Sequence, residues 1–152
     1  MTLTTLLLGV CLLLAAAGAA SDVKGRRIPN WVCLLLAAAA LGLAWAVAGQ
    51  SGLLWGVAHA AVALAIGVAL FAGGIVGGGD AKFYSAAALA VPLQSGLTLL
   101  GWTSAAGLVL LVVIVVGNRL FARVRKSIKE LRKMEVPYGV AIAAGFALTK
   151  LI

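Results

Sequence analysis

The chain has 152 residues, of which 64% are hydrophobic and only 11% are charged. Soluble domains have an apolar share of about half, so this composition excludes a soluble fold and predicts a membrane protein. A helix needs about 20 residues to cross the hydrocarbon layer, and the length therefore allows roughly six spans in one bundle.

Six apolar runs follow one another along the chain. They cover residues 3–20, 31–49, 53–76, 81–93, 96–117 and 136–152. Each run is predicted to form one helix of an all-α transmembrane bundle, with a GQSG turn at 49–52 between the second and third runs. About 14 residues rise only about 21 Å, so the fourth helix is expected to begin below the membrane surface or to lie in thinned lipid. The whole chain, 1–152, is predicted to be a single domain.

The first run ends in small residues that resemble the cleavage site of a secretory signal. No positive charge precedes this run, however, and Lys24, Arg26 and Arg27 follow it. That order is the reverse of the order in a signal peptide, so the run is predicted to be a retained first helix.

Basic residues cluster in alternate breaks between the runs. Three follow the first run, and Lys82 follows the third. Seven more fill the fifth break, namely Arg119, Arg123, Arg125, Lys126, Lys129, Arg132 and Lys133. By the positive-inside rule, segments 21–30, 77–82 and 118–135 are predicted to be cytoplasmic and both termini to lie outside. The net charge of +8 then needs no nucleic-acid partner, and binding of anionic lipid by the fifth break is the alternative role for its charges.

The four acidic residues divide into two pairs. Glu130 and Glu135 lie among the basic residues of the fifth break, where ordinary solvated ion pairs explain them. Asp22 follows the first run and Asp80 precedes the fourth, so both are predicted to reach the cytoplasmic face. Ionisable groups at membrane depth are costly and usually mark a functional site. Each aspartate alone also has a structural explanation, Asp80 as a helix N-cap and Asp22 as an ion-pair partner of a nearby basic residue.

Two aspartates that meet would share one proton, because like charges at close range raise the pKa of one carboxyl group. One carboxylate can then act as general base on a water molecule while its protonated partner polarises the attacked carbonyl, as in aspartic proteases. The alternative from another class is a small transporter subunit that binds an ion or relays protons through Asp22 and Asp80. Their expected position near one face, rather than at the midplane, argues against it.

Three stretches resemble the signature segments of the type IV prepilin peptidases, intramembrane aspartic proteases of the GxGD type. They are SDVKGRRIPNW at 21–31, GGGDAKFYSAAAL at 77–89 and VPYGVAIAAG at 136–145. The resemblance spans essentially the whole chain. It implies that Asp22 and Asp80 are the catalytic pair.

The resemblance also implies substrate-binding or supporting roles for residues near the two aspartates. These are Pro29, Asn30, Gly77, Gly78, Gly79, Lys82, Pro137 and Tyr138. The three glycines permit an extended peptide to lie beside Asp80, although a plain helix break also explains them. Lys82 either tunes the catalytic pair or binds the substrate carbonyl, or it extends its ammonium group to the membrane surface.

The implied activity is removal of the short, basic leader of a pilin-like precursor by cleavage after a glycine, at the cytoplasmic face of a bacterial or archaeal plasma membrane. Larger members of the family also bind zinc through paired CxxC motifs and methylate the new N-terminus. Here Cys11 and Cys33 are single and lie in apolar runs, so neither a metal nor another cofactor is expected, and methyltransferase activity is not expected. Membrane lipid is an expected partner, while homodimerisation and the identity of the precursor stay open. A signal-peptide-peptidase-like enzyme is the rival within the class, but such enzymes are longer.

Two further residues carry weaker expectations. His59, in the outer half of the third run, is expected to be a packed or interface histidine rather than a catalytic one. Ala81 follows Asp80 where a larger apolar side chain is commoner in the family.

Overall fold

The computed structural model describes residues 2–121 and 136–152, with side chains described as far as Gly117 in the first range. Every regular element in these ranges is helical: α1 Leu3–Gly25, α2 Asn30–Ala72, α3 Gly78–Ala88, α4 Gly96–Phe121 and α5 Tyr138–Leu151, with a short 3-10 turn at Leu93–Ser95. The predicted all-α class is confirmed for this part of the chain. Most of the predicted cytoplasmic segment 118–135, including Glu130 and Glu135, lies outside the described residues.

The 43 residues of α2 do not form one straight helix. A straight helix of that length would measure about 65 Å, roughly twice the hydrocarbon thickness. Ala48 and Gly49 have non-helical backbone angles, and Gly49 has φ +58° and ψ −141°, a conformation that favours glycine. The break divides α2 into two segments, here called α2a (residues 30–47) and α2b (residues 50–72). The predicted turn at 49–52 is therefore narrower than expected, since its last three residues belong to α2b.

Within residues 2–121 and 136–152, three segments are long and apolar enough to cross a membrane: Leu3–Gly25, Asn30–Ala72 and Leu93–Gly117. Helices α3 and α5 are shorter, with 11 and 14 residues. The long apolar helices support a membrane protein. The count of six spans requires α2 to be divided at its break and both short helices to be included, and it stays a prediction.

Helix packing brings the two ends of the sequence together. Helix α1 packs against α2 and α5, α3 packs against α2, and α4 packs against α5. The core contains buried side chains from α1, α2a, α3 and α5, among them Cys11, Leu36, Phe83 and Phe146. Many large apolar side chains point outward instead, as expected for a surface that faces lipid rather than water.

Small residues let α3 approach its neighbours closely. A Cβ atom added to Gly18 of α1 would lie 2.6 Å from the Phe83 ring, and one added to Gly67 of α2b would lie 2.8 Å from the Cβ of Ala81. These two contacts therefore leave no room for a side chain larger than hydrogen at Gly18 or Gly67. Ala81 stands against Gly67, which gives a physical reason for an alanine where the resemblance favours a larger residue.

Side chains from two neighbouring helices bind the carbonyl groups that follow α3. His59 of α2b is buried, and its Nδ1 lies 2.8 Å from the carbonyl oxygen of Val91. Lys150 of α5 donates to the carbonyl oxygen of Ala90. Both carbonyl groups lie beyond the last residue of α3, where the helix supplies no donor, so these side chains satisfy acceptors that would otherwise be unpaired. His59 is thus a packed histidine, as expected.

Candidate active site

Asp22 lies in the last turn of α1, where the helix ends in a left-handed residue. Arg26 has φ 52°, and its N–H donates to the carbonyl oxygen of Asp22 at 2.9 Å. The Asp22 side chain is only 7% exposed. A buried carboxylate is costly unless hydrogen bonds replace its lost water, so its partner must come from the protein.

That partner is a backbone group of α5. The N–H of Gly139 donates to Oδ2 of Asp22 at 2.8 Å. Gly139 is the second residue of α5, and the first N–H groups of a helix are free to bind an anion and carry partial positive charge. A Cβ atom at position 139 would lie 3.0 Å from Oδ2, so a side chain there would displace the carboxyl group.

Asp80 lies in the first turn of α3, but it is not the N-cap residue. Gly77 occupies the cap position, with φ −69° and ψ 141°, and Asp80 is the third residue after it. The Asp80 carboxyl group folds back onto this glycine, so that a Cβ atom at position 77 would lie 2.8 Å from Oδ2. The backbone of Gly77 also donates a hydrogen bond to Asp80. Glycine at position 77 therefore gives the carboxyl group the room it occupies.

Both aspartates line one cavity of about 340 Å³, here called the aspartate cavity. The predicted residues Gly77, Gly78, Gly79, Asn30 and Lys82 also line it, together with Arg26, Arg27 and Ile28. The cavity therefore joins the end of α1 and the following loop to the first turn of α3. Pro29 lies at the cap position of α2 and does not line the cavity.

The two aspartates interact through their charges. Burial and, to a smaller extent, repulsion from Asp22 raise the pKa of Asp80 to about 6, against the hydrogen bond from Gly77, which lowers it. Asp80 belongs to the short segment 77–82, outside the three helices long enough to span a membrane. A carboxyl group with such a pKa is able to hold a proton near neutral pH and to donate it to a substrate.

Lys82 connects the two segments that carry the aspartates. Its Nζ donates to Oδ1 of Asn30 at 3.4 Å, a long and exposed hydrogen bond. This bond joins the start of α2 to α3. Lys82 and Asn30 can therefore hold these two helices in position at the wall of the cavity. The hydrogen bond of Lys82 thus goes to Asn30 and not to either aspartate.

Ile28, which the sequence did not predict as a site residue, lines the aspartate cavity. Its side chain is buried, and its Cδ1 would lie 3.1 Å from a Cβ atom on Gly139, while its Cβ would lie 3.9 Å from one on Gly79. Ile28 therefore separates the glycine beside Asp22 from the glycine beside Asp80. Ile28 and Gly139 each lie in one of the three signature segments, next to a predicted site residue. Their position in these segments was the only feature of the sequence that pointed to a role in the site.

Pro137 and Tyr138 lie at the start of α5. Pro137 occupies its cap position and accepts a hydrogen bond from the N–H of Val140 at 3.1 Å, while Tyr138 is the first helical residue. The Tyr138 side chain is 51% exposed and does not line the aspartate cavity. These two residues therefore begin the helix whose second residue binds Asp22.

Asp80 also lines a second, larger cavity of about 720 Å³. This cavity, here called the lateral cleft, lies between α2b, α3, α4 and the start of α5, and most of its lining side chains are apolar. The Asp80 carboxyl group is thus at the boundary between a polar cavity and an apolar one.

A comparison with protein families gives one match. The model of the type IV leader peptidase family matches residues 6–112, more than two thirds of the chain. The protein belongs to the type IV leader peptidase family. The matched residues of this leader peptidase include Asp22 and Asp80 but not α5. Searches of curated proteins and of solved structures gave no match.

The match confirms the resemblance drawn from the three signature segments. It makes the protein a membrane-embedded member of a peptidase family and gives no support to a transporter subunit.

Proposed function

We propose that this leader peptidase is an intramembrane aspartic endopeptidase that removes the short leader of type IV pilin-like precursors by cutting after a glycine. The observation that supports this most directly is that Asp22 and Asp80, on helices far apart in the sequence, line one cavity. A shared cavity with one carboxyl group of raised pKa is what acid–base hydrolysis by two aspartates requires.

In the proposed reaction, Asp80 starts protonated and Asp22 starts as the carboxylate. Asp22 takes a proton from a water molecule as the water oxygen attacks the carbonyl carbon, and Asp80 gives its proton to the carbonyl oxygen. The resulting tetrahedral intermediate breaks at the C–N bond. The leaving nitrogen takes the proton held by Asp22, and a hydroxyl proton of the intermediate returns to Asp80. Both carboxyl groups then regain their starting states.

The glycines beside Asp80 provide space for the peptide to be cut. Gly77, Gly78 and Gly79 line the aspartate cavity without side chains, so an extended backbone can approach the Asp80 carboxyl group. Protease substrates must be extended at the scissile bond, because a helical bond has its carbonyl group engaged and its faces covered.

The proposed topology places the aspartate cavity on the cytoplasmic side of a bacterial or archaeal plasma membrane. Its walls carry Arg26, Arg27 and Lys82, and the positive-inside rule assigns such segments to the cytoplasm. Segments 21–30, 77–82 and 118–135 then face that side. The end of α1, the start of α3 and the end of α4 then lie at the cytoplasmic surface. The proposed spans are the remaining parts of these three helices together with α2a, α2b and α5, and both termini are outside.

Substitution of the aspartates tests this function. We expect Asp22→Asn and Asp80→Asn each to abolish leader removal and to leave membrane insertion unchanged, because asparagine keeps the shape but cannot exchange the proton. Each variant is co-expressed with a pilin-like precursor, and the shift of the precursor band on a gel is followed. Lys24→Gln, next to the site but not lining the cavity, is the control and should cut normally. Full cleavage by both aspartate variants would refute the mechanism, and a metal chelator should not slow the wild type.

A further inference from the structure

The aspartate cavity and the lateral cleft meet at a single charged residue. Among the described residues that line the cleft, Asp80 is the only aspartate, glutamate, lysine or arginine. Asp80 also lines the aspartate cavity. A chain that leaves the apolar cleft at this end therefore arrives directly at the catalytic pair.

The lateral cleft extends along two helices. Its lining runs along α2b from His59 to Leu70, which corresponds to about 16 Å at 1.5 Å per residue. On the opposite side it runs along α4 from Gly96 to Leu111. Helices α2 and α4 have no extensive packing against each other in the described part of the chain, so the two walls stand apart over most of their length.

The walls are also accessible from the side that would face lipid. Leu108 on α4 is 63% exposed although it lines the cleft, and Ile66 on α2b is similarly exposed. In the hydrocarbon layer a peptide must satisfy its own backbone hydrogen bonds, so a peptide that enters here has to be a helix. A helix with its side chains is about 10 Å across, and the volume of the cleft holds roughly two turns of it.

We propose that the lateral cleft binds the hydrophobic helix of the precursor, which enters sideways from the lipid between α2b and α4. This inference rests on the proposed function and adds the place where the substrate is held. The bound helix lies along α2b with its cytoplasmic end at Asp80. Beyond Asp80 the chain unwinds and passes Gly77, Gly78 and Gly79 in extended form, which sets the scissile bond at the end of the helix.

Lipid acyl chains are the competing occupant of the cleft. A phospholipid has apolar chains and a polar headgroup, so the polarity of the two cavities fits both occupants. The glycine-lined wall beside Asp80 favours the precursor, because it leaves room for an extended peptide backbone next to a carboxyl group. A precursor supplies such a backbone where its hydrophobic helix is joined to the polar leader.

Photo-crosslinking tests the cleft with a matched pair of positions. Leu108 and Val109 are neighbours on α4 and each is 63% exposed, but only Leu108 lines the cleft. A benzophenone-bearing phenylalanine is placed at position 108 or at position 109 of the Asp80→Asn variant, which holds uncut precursor. We expect irradiation to give an enzyme–precursor band for position 108 and little or none for position 109. Equal bands at both positions, or a band at 109 alone, would overturn the proposed cleft.

A kinetic test separates this inference from the proposed function. We expect Leu108→Trp to lower kcat/KM for the full precursor about tenfold, because the larger ring obstructs the helix. Val109→Trp should leave it unchanged. A soluble peptide that carries the leader and the scissile bond but no helix should be cut equally by both variants. Equal loss on peptide and precursor would overturn the cleft, whereas cleavage by the Asp80→Asn variant would instead overturn the aspartic mechanism.

Discussion

The N–H of Gly139 donates to the Asp22 carboxylate at 2.8 Å, which links the last turn of α1 to the first turn of α5. This single bond lets the last described helix orient a side chain near the start of the chain. Helix α5 lies outside the residues matched by the family model. The position of one aspartate of the proposed catalytic pair therefore depends on a helix that the match does not include.

Gly139→Ala is expected to impair cleavage strongly. The added Cβ atom would lie 2.9 Å from the Cβ of Asp22, closer than such atoms can approach, so the carboxyl group must move. A displacement of about 1 Å in a catalytic group costs roughly a hundredfold in rate. The measurement is kcat/KM with a purified precursor in detergent.

A second glycine provides the control for that substitution. Gly101 of α4 has open space around the position of its Cβ atom, so Gly101→Ala should keep full activity. The melting temperature of both variants is recorded alongside. Normal activity in Gly139→Ala would show that the contact with Asp22 is not needed for catalysis.

The rate of cleavage is expected to fall as the pH rises through about 6, where Asp80 loses its proton. The pKa of this group is raised in the folded state, chiefly by burial and then by repulsion from Asp22, above its ordinary value of 3.8. An acid of raised pKa stabilises the fold at low pH, and this stability is lost as the pH rises from the unfolded to the folded pKa. Stability should thus decline between about pH 4 and pH 6.

The Asp80→Asn substitution removes the contribution of Asp80 to the pH dependence of stability, because asparagine does not titrate. Thermal unfolding of wild type and variant is compared across the same pH range, and the wild type alone should show the decline that belongs to this group. Identical profiles would contradict a raised pKa. A cleavage rate that rises from pH 6 to pH 8 would contradict the need for a protonated Asp80.

The sequence singled out the two aspartates because acidic residues are rare in this chain and a charge at membrane depth is costly. The structure places both aspartates at one cavity, and their catalytic role stays a prediction. It did not predict the binding of Asp22 by Gly139, since a backbone N–H carries no signature in the residue that supplies it. The N-cap explanation of Asp80 was wrong, because Gly77 takes that position and leaves the aspartate one turn further along. The lateral cleft could not be predicted either, because apolar runs do not reveal which helices stand apart.

Lys150→Met is expected to destabilise the fold by about 1–2 kcal/mol. The substitution removes the ammonium group that binds the carbonyl oxygen of Ala90 and leaves this acceptor without its partner. Thr149→Val is the control on the same helix, because the Thr149 hydroxyl donates to the carbonyl of Gly145 within α5 and this bond does not link α5 to α3. Thermal unfolding in detergent measures both variants. Equal stability of Lys150→Met and wild type would show that the end of α3 does not need this contact.

Ala81→Leu tests whether the close contact between α3 and α2b dictates a small residue beside Asp80. A Cβ atom on Gly67 would already lie 2.8 Å from that of Ala81, so the three added carbon atoms of leucine have little room on this side. Overpacking of this kind costs about 1–3 kcal/mol, and movement of α3 should also lower the cleavage rate because Asp80 moves with it. Ala61→Leu, on an exposed part of α2b away from the lateral cleft, should change neither quantity. Unfolding in detergent and cleavage of the precursor are measured for both variants, and a fully stable and active Ala81→Leu would mean that the two helices can separate without cost.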